Sequence, residues 1–293
     1  MLKDGRVHGS HSLFTAEDVQ KLVDKTPIEV YTHGTYSHGD FMPEDSSDLV
    51  GKHFEMVFDD GLQLTYDFLE TNKLCWSDGK TSQEDFVQVY NSSVENVYLF
   101  FHHIKGSVPP TARMIVMDLD NGLVTATIAG LCRTKHPSDV VREFHFGLIK
   151  GYEDPGYRHS FTTDMVGKAI SWTYRDPQII IKHIYTSPRY YTVTNKIKGR
   201  DGEDIYICAS NMADYIKIRE GLYIFTLVEE GMAGVQLFFL MDLYKLHDVG
   251  CWYGVNAGGL RCYGVGARGK WAPMYTLDDG SLITKHFDWE KEL

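Results

Sequence analysis

The 293-residue sequence predicts an all-β protein in which antiparallel strands close into two tandem barrels behind a short N-terminal helix. Three observations carry that expectation. From His53 onward, apolar residues recur at every second position, the period of a half-buried strand. Tight-turn residues punctuate these runs, as at Asp59-Asp60-Gly61. The second half also repeats the first in order: Met165-Val166-Gly167-Lys168 echoes Leu49-Val50-Gly51-Lys52, Asp214–Ile218 echoes Asp85–Val89, and Met241-Asp242-Leu243 echoes Met117-Asp118-Leu119. The spacing between echoes drifts while their order persists, as in a duplicated unit whose loops have changed length.

Taken along the chain, Thr15 is an N-cap candidate followed by an acidic turn, with Val19, Leu22 and Val23 on one face, so a helix is expected there, ending before Pro27. Residues 1–47 are this helix and an arm, 48–155 a first barrel and 156–293 a second. In the first barrel, strands are expected over His53–Phe58, Leu62–Phe68, Phe86–Tyr90, Val97–Ile104, Met114–Leu119 and Leu123–Ala129, with the Val-Gly-Lys segment opening each copy as a strand. The glycine-rich stretches Gly250–Gly259 and Gly264–Gly269 read as loops or turns, because they do not join a strand to a helix in the dinucleotide-binding manner.

Composition narrows the partners. Twenty-nine Lys and Arg stand against 40 Asp and Glu, a net charge of −11, and no basic run is present, so nucleic acid and anionic membrane are not expected partners. The aromatic content of 13% is enough to line a pocket for a small hydrophobic or aromatic molecule. Met1–Arg6 contains no apolar leader core, and no apolar run reaches the ~20 residues of a spanning helix. Five cysteines without CxxC spacing read as buried thiols in a reducing, cytoplasmic setting.

Residues able to carry chemistry follow from alternation. In the second copy Ile170, Trp172 and Tyr174 share a face, and Tyr223, Phe225, Leu227 and Glu229 share another. A carboxylate closing an apolar inward row is desolvated, which moves it toward general-acid duty. The competing view is a solvated turn at Glu229-Glu230-Gly231. In the first copy, Glu143 and His145 project together from one strand, an acid/base pair or a surface pair. Arg113, at the start of an apolar strand, is the best anion anchor of that half, against the default of a surface arginine. Adjacent His102 and His103 face opposite ways, and no HxH, HxxxH or HExxH spacing supplies a plausible ligand set, so neither a metal nor any other cofactor is expected. No Gly-x-Ser-x-Gly or Cys/His signature marks a covalent nucleophile.

The second copy, through Met165–Tyr174, Asp214–Tyr223, Phe238–Met241 and Lys245-Leu246-His247, resembles the phenolic acid decarboxylase family. The first copy, with Leu49–Lys52 and Phe58–Gly61, and the tandem layout are more similar to the molybdenum cofactor biosynthesis F-like (MoaF-like) family of paired calycin-like domains. The resemblance implies lipocalin-like (calycin) barrels and chemistry without a cofactor. Carried over by position, the decarboxylase tyrosines fall on Trp172 and Tyr174, its carboxylate on Glu229 and its substrate-anchoring arginine at about Tyr206. The first-copy tyrosine positions become Met56 and Phe58. With the arginine replaced, the resemblance implies a shared scaffold more than a shared reaction. The expected function is cofactor-independent acid/base catalysis (a lyase, isomerase or cyclase), with Glu229 and Tyr174 catalytic in one pocket and His145 with Glu143 in the other. Trp172, Tyr206, Tyr223, Phe225 and Arg113 would contact substrate. The alternative is a non-catalytic small-molecule binder of the MoaF-like type. A homodimer stays open.

Overall fold

A computed structural model describes residues 41–131, 140–175, 179–198, 204–229, 235–256 and 259–272. The expected helix over residues 15–23 lies outside them. Among the described residues, eighteen strands make the fold. The first sheet holds β1 (His53–Phe58), β2 (Gln63–Glu70), β3 (Lys73–Ser77), β4 (Ser82–Phe86), β5 (Gln88–Asn91), β6 (Val97–His103), β7 (Thr111–Asp118), β8 (Leu123–Leu131) and β9 (Val140–Ile149). The second holds β10 (Ser160–Phe161), β11 (Ala169–Arg175), β12 (Ile179–Ile184), β13 (Tyr190–Lys198), β14 (Asp204–Arg219), β15 (Leu222–Val228), β16 (Val235–Asp242), β17 (His247–Asn256) and β18 (Gly259–Trp271). Among the described residues, no helix is long and apolar enough to cross a membrane.

Both sheets are antiparallel meanders whose first and last long strands pair, β1 with β9 and β11 with β18. The second closes fully because one long strand serves two neighbours: β14 pairs with β13 up to Met212 and with β15 from Ala213. In the first barrel the same corner is broken at Val87, so β4 pairs with β3 and β5 pairs with β6. The expected strand Phe86–Tyr90 is therefore the end of one strand and the start of another.

The duplication extends to backbone hydrogen bonds. The Val-Gly-Lys segments are turns and not the strands expected of them: Lys52 N donates to Leu49 O, and Lys168 N to Met165 O. Gly51 and Gly167 take φ of 79° and 84°, a left-handed conformation that costs glycine little. Their amides donate to Phe68 O and Tyr185 O respectively, tying the first turn to β2 and the second to the residue that follows β12. Following the register from these turns aligns Phe54–Tyr66 with Ile170–His183, and His102–Arg113 with Leu227–Leu237. It also aligns Asp85, which pairs with Leu74, with Asn211, which pairs with Tyr191. The structural partner of Asp85 is thus Asn211 and not the Asp214 that the sequence echo suggests.

Three apolar cores result. Two fill the barrels, around Tyr66, Trp76 and Phe100 in the first and around Trp172, Tyr185 and Phe225 in the second. The third lies between them, where Leu99, Phe101, Met114 and Val116 meet Ile224, Phe238, Leu240, Cys251 and Tyr253. Strands β6 and β7 are consequently buried on both faces, which is why they read as near-continuous apolar runs. Polar ties cross the same boundary. Arg219 Nε donates to Asp118 at 2.8 Å, Arg142 pairs with Asp214 at 2.9 Å, and the His103 ring meets the Tyr253 hydroxyl at 3.0 Å.

Two expectations are corrected here. Apart from residues 257–258, which lie outside the described residues, the glycine-rich stretches belong to strands β17 and β18, because glycine lets neighbouring backbone and rings come close. A Cβ at Gly250 would stand 2.0 Å from the carbonyl oxygen of Phe238, and one at Gly264 would stand 2.4 Å from the Tyr90 hydroxyl. The thiols are not uniformly buried: Cys251 and Cys262 are, with their sulfurs 3.9 Å apart, but Cys75 is half-buried and Cys208 exposed.

Gly250→Ala should therefore destabilise the protein by at least the 1–3 kcal/mol typical of overpacking, read as a lowered urea midpoint, since the clash is with backbone that cannot turn aside. At Asp118 burial disfavours the charged form, but the bonds from Arg219, His159 and Asn121 outweigh it and hold the carboxyl well below the ordinary range. A carboxylate so depressed stabilises the fold above its unfolded pKa of about 4, and that contribution is lost as pH falls through this region. Arg219→Met should cost about 3 kcal/mol at pH 7, the scale for stranding a buried charge, and should flatten the acid limb of a pH series of urea midpoints.

Candidate functional site

The end of the second barrel at which β11 and β15 finish holds a cavity of about 190 Å³. An apolar cavity of about 150 Å³ takes benzene, so this space is on the scale of one aromatic ring. Its walls are mostly apolar, from Ile181, Val193, Leu227, Leu237, Phe239, Trp252 and Val265, with Tyr174, His183, Tyr191 and Glu229 as the polar members. Alternation explains the walls: along β15, Tyr223, Phe225 and Leu227 face the barrel interior while Leu222 and Ile224 face the other barrel.

Glu229 follows the last residue of β15, and its amide still donates to Val235 O at 3.0 Å. Its Oε1 accepts from Asn211 Nδ2 at 3.0 Å, and the same amide group donates to the Tyr191 hydroxyl at 3.3 Å. Burial pushes the Glu229 carboxyl up, and the Asn211 bond opposes it. Burial also raises the Tyr191 phenol well above its ordinary value. His183 sits edge-on to Tyr191 and Tyr185 and tilted against Phe225, with its Nδ1 unpartnered, and burial drives its pKa down to about 3. The pocket therefore combines a carboxyl whose pKa burial raises with an imidazole whose pKa burial lowers, shifts toward the forms that donate and accept a proton.

Tyr174 lines the cavity while its hydroxyl donates to Asp248 Oδ2 at 3.4 Å. Burial raises that aspartate well above its ordinary value. Trp172 and Phe225 lie deeper. The Trp172 indole donates to the Tyr185 hydroxyl at 3.1 Å, and Phe225 stacks on Tyr215 and Phe239. Tyr223 is outside the cavity, donating to Asp164 at 3.0 Å. Tyr206 lies on β14 in register with Lys196.

At the equivalent end of the first barrel the polar inventory changes. His102, buried with Trp76 and Tyr66 around it, directs Nδ1 to Asp85 at 3.0 Å and Nε2 to the Tyr66 hydroxyl at 3.2 Å. Asp85 also accepts from the Trp76 indole at 2.6 Å. Burial opposes its charge, but the bonds from His102, Trp76 and Gln83 together lower its pKa. Burial lowers that of His102 despite Asp85. The lowered pKa favours the neutral imidazole, in which Nδ1–H donates to the carboxylate and Nε2 accepts from Tyr66. Arg113 is buried with its guanidinium 4.0 Å from the Trp76 ring centre. Across the sheet Arg113 pairs with Ile128, and Ile128 with Glu143. His145 is paired by Nδ1 to Asp60 at 2.5 Å, so its hydrogen-bonded carboxylate is Asp60. Among the described residues, no group of three or more His, Cys, Asp and Glu is placed to hold a metal.

Reasoning from sequence missed His183, Tyr191 and Asn211 in the second barrel, and Tyr66 and Asp85 in the first. A signal existed for His183: in Ile181-Lys182-His183-Ile184-Tyr185 it shares the parity of Ile181 and Tyr185.

Because a buried neutral histidine must gain a proton on unfolding below pH 6.5, His183 makes the fold less stable on acidification between about pH 6.5 and 3, by up to about 1.4 kcal/mol per pH unit. His183→Phe should remove part of the loss in urea midpoint between pH 7 and pH 5, the rest falling to His102 and His103, which burial depresses likewise.

No curated protein matches the chain. Two family models do, the MoaF N-terminal domain over residues 14–133 and the MoaF C-terminal domain over residues 159–271. Neither is a phenolic acid decarboxylase model. The two matches fall one on each half of the duplicated barrel fold, and the chain belongs to the MoaF-like family.

Proposed function

We propose that the protein is a cofactor-independent acid/base enzyme of the lyase, isomerase or cyclase type, acting on a one-ring aromatic or similarly small hydrophobic metabolite in the second barrel. The observation that carries this reading is the convergence of Glu229, His183 and Tyr191 on one largely apolar cavity of about 190 Å³. A sheltering protein needs one polar group to orient its cargo, whereas proton transfer needs a donor and an acceptor in opposite states. Glu229 is the proton donor in this scheme and His183 the acceptor. Asn211 holds Glu229 and Tyr191 in a common geometry, and Tyr174 with Trp252 forms the aromatic wall against a planar ligand. A reducing, cytoplasmic setting accords with the unbridged thiols at Cys251 and Cys262.

The test is solvent-deuterium incorporation into a panel of one-ring phenols and enones in D₂O, followed by mass spectrometry, with binding read in parallel from Trp252 fluorescence. Wild type should label at least one compound. Glu229→Gln should slow labelling by about 10² while leaving affinity nearly unchanged, the usual scale for losing a general acid or base. Tyr174→Phe should act in the same direction and more weakly. Saturable binding without labelling would instead establish a small-molecule binder. Full labelling by Glu229→Gln would overturn the assignment.

A further inference from the structure

The duplication supplies a comparison within one molecule. The second-barrel cavity is walled in part by Val193, Leu227, Leu237 and Val265, all apolar. By strand register their counterparts in the first barrel are Trp76, His102, Arg113 and His145. The same place in the same fold thus carries a guanidinium and two imidazoles. Arg113 is the outlier among them. Its side chain is 6% exposed and engages the Tyr66 hydroxyl, but its nearest carboxylate is Asp78 at 3.8 Å, beyond hydrogen-bond reach, and neither Nε nor Nη1 has a partner. A buried guanidinium with two idle donors is costly unless an acceptor arrives to meet them. His145, one inward place along from Glu143, likewise has Nδ1 engaged and Nε2 buried and unpartnered.

The neighbouring carboxylates do not supply that acceptor. Asp85 is saturated by Trp76, His102, Gln83 and the Lys105 amide, Asp60 is held by His145, and Asp78 caps the amides of Lys80 and Thr81. Their negative field nevertheless disfavours a dianion such as phosphate. A planar monoanion suits the planar fork of Arg113, whose other face is already covered by Trp76. On these grounds we infer that the mouth of the first barrel is a second ligand site, specific for a small organic carboxylate held by Arg113. The chain Asp85–His102–Tyr66 is its positioning element: it fixes the Tyr66 hydroxyl and the Trp76 ring on which the guanidinium rests. This site is independent of the proton-transfer reading of the second barrel, since it shares no residue with it.

Benzoate is the probe, with benzamide as its neutral isostere and inorganic phosphate as the dianion. Each is titrated into the full chain while the indole N–H signals are followed by NMR. Benzoate should shift the Trp76 signal saturably, and that signal alone reads this site, because the second-barrel cavity beside Trp252 also suits one-ring compounds. Benzamide and phosphate should bind at least tenfold more weakly. Arg113→Met should abolish the difference between benzoate and benzamide, Arg113→Lys should restore part of it, and Glu229→Gln should leave it untouched. The wild-type comparison of benzoate with benzamide needs no variant, so a misfolded Arg113→Met would not protect the proposal. Equal binding of the two, no saturable shift at Trp76, or a shift confined to Trp252 would overturn it. Loss of benzoate binding in Glu229→Gln would place the anion in the second barrel instead.

Discussion

The shared wall between the barrels is the constraint on which the rest of the molecule depends. Strands β6 and β7 present Leu99, Phe101, Met114 and Val116 outward to the other barrel while lining their own with Tyr98, Phe100, Ile115 and Met117. Strands β15 to β17 do the same from the opposite side. Strands packed on both faces tolerate neither polar intrusion nor loss of volume, because each methylene displaced leaves a void or a clash. Arg219, Arg142 and His103 then fix the relative register of the two halves through directional bonds. With their backs occupied, the barrels are left with their ends to vary.

Variation at those ends is what distinguishes the two halves. Asp85 and Asn211 occupy equivalent positions, yet one only accepts and the other donates through its amide. Around the acceptor there is an indole and an imidazole. Around the donor there are a phenol oxygen and a carboxyl whose pKa is raised. A single exchange of acid for amide thus accompanies a change from a charged, hydrogen-bonded mouth to an apolar one with a protonatable carboxyl.

The architecture was legible because two local periodicities were clean. In β1, buried Phe54, Met56 and Phe58 alternate with exposed or half-buried positions, and the Gly51 and Gly167 turns repeat faithfully enough to expose the duplication. Glycine misled where its role was to permit approach and not to turn the chain, as at Gly250 against Phe238. The echo at Asp214 misled by similarity of residues alone, since only hydrogen-bond register identifies Asn211 as the match. At the site, alternation along β15 reached Glu229 and Phe225, and alternation along β11 reached Trp172, without showing that Trp172 and Phe225 lie deeper than the cavity. Asp85 and Tyr66 were illegible because they meet His102 only after strands distant in the chain have been rolled into a barrel.

The wall also has a bearing on how the chain could be divided. The stretch joining the barrels runs from β9 to β11 and is tethered by surface contacts, with Arg158 between Asp59 and Asp154. Its exposed part, residues 150–157, precedes the buried His159 and Met165, and each half alone would expose a whole apolar sheet face to water. Cleaved there, the two pieces would behave as obligate partners that re-find one another, a split pair held by the buried face and not by the peptide bond. Size-exclusion chromatography of the nicked protein would show one species at the mass of the intact chain, and two separate soluble species would show that the wall is weaker than its burial implies.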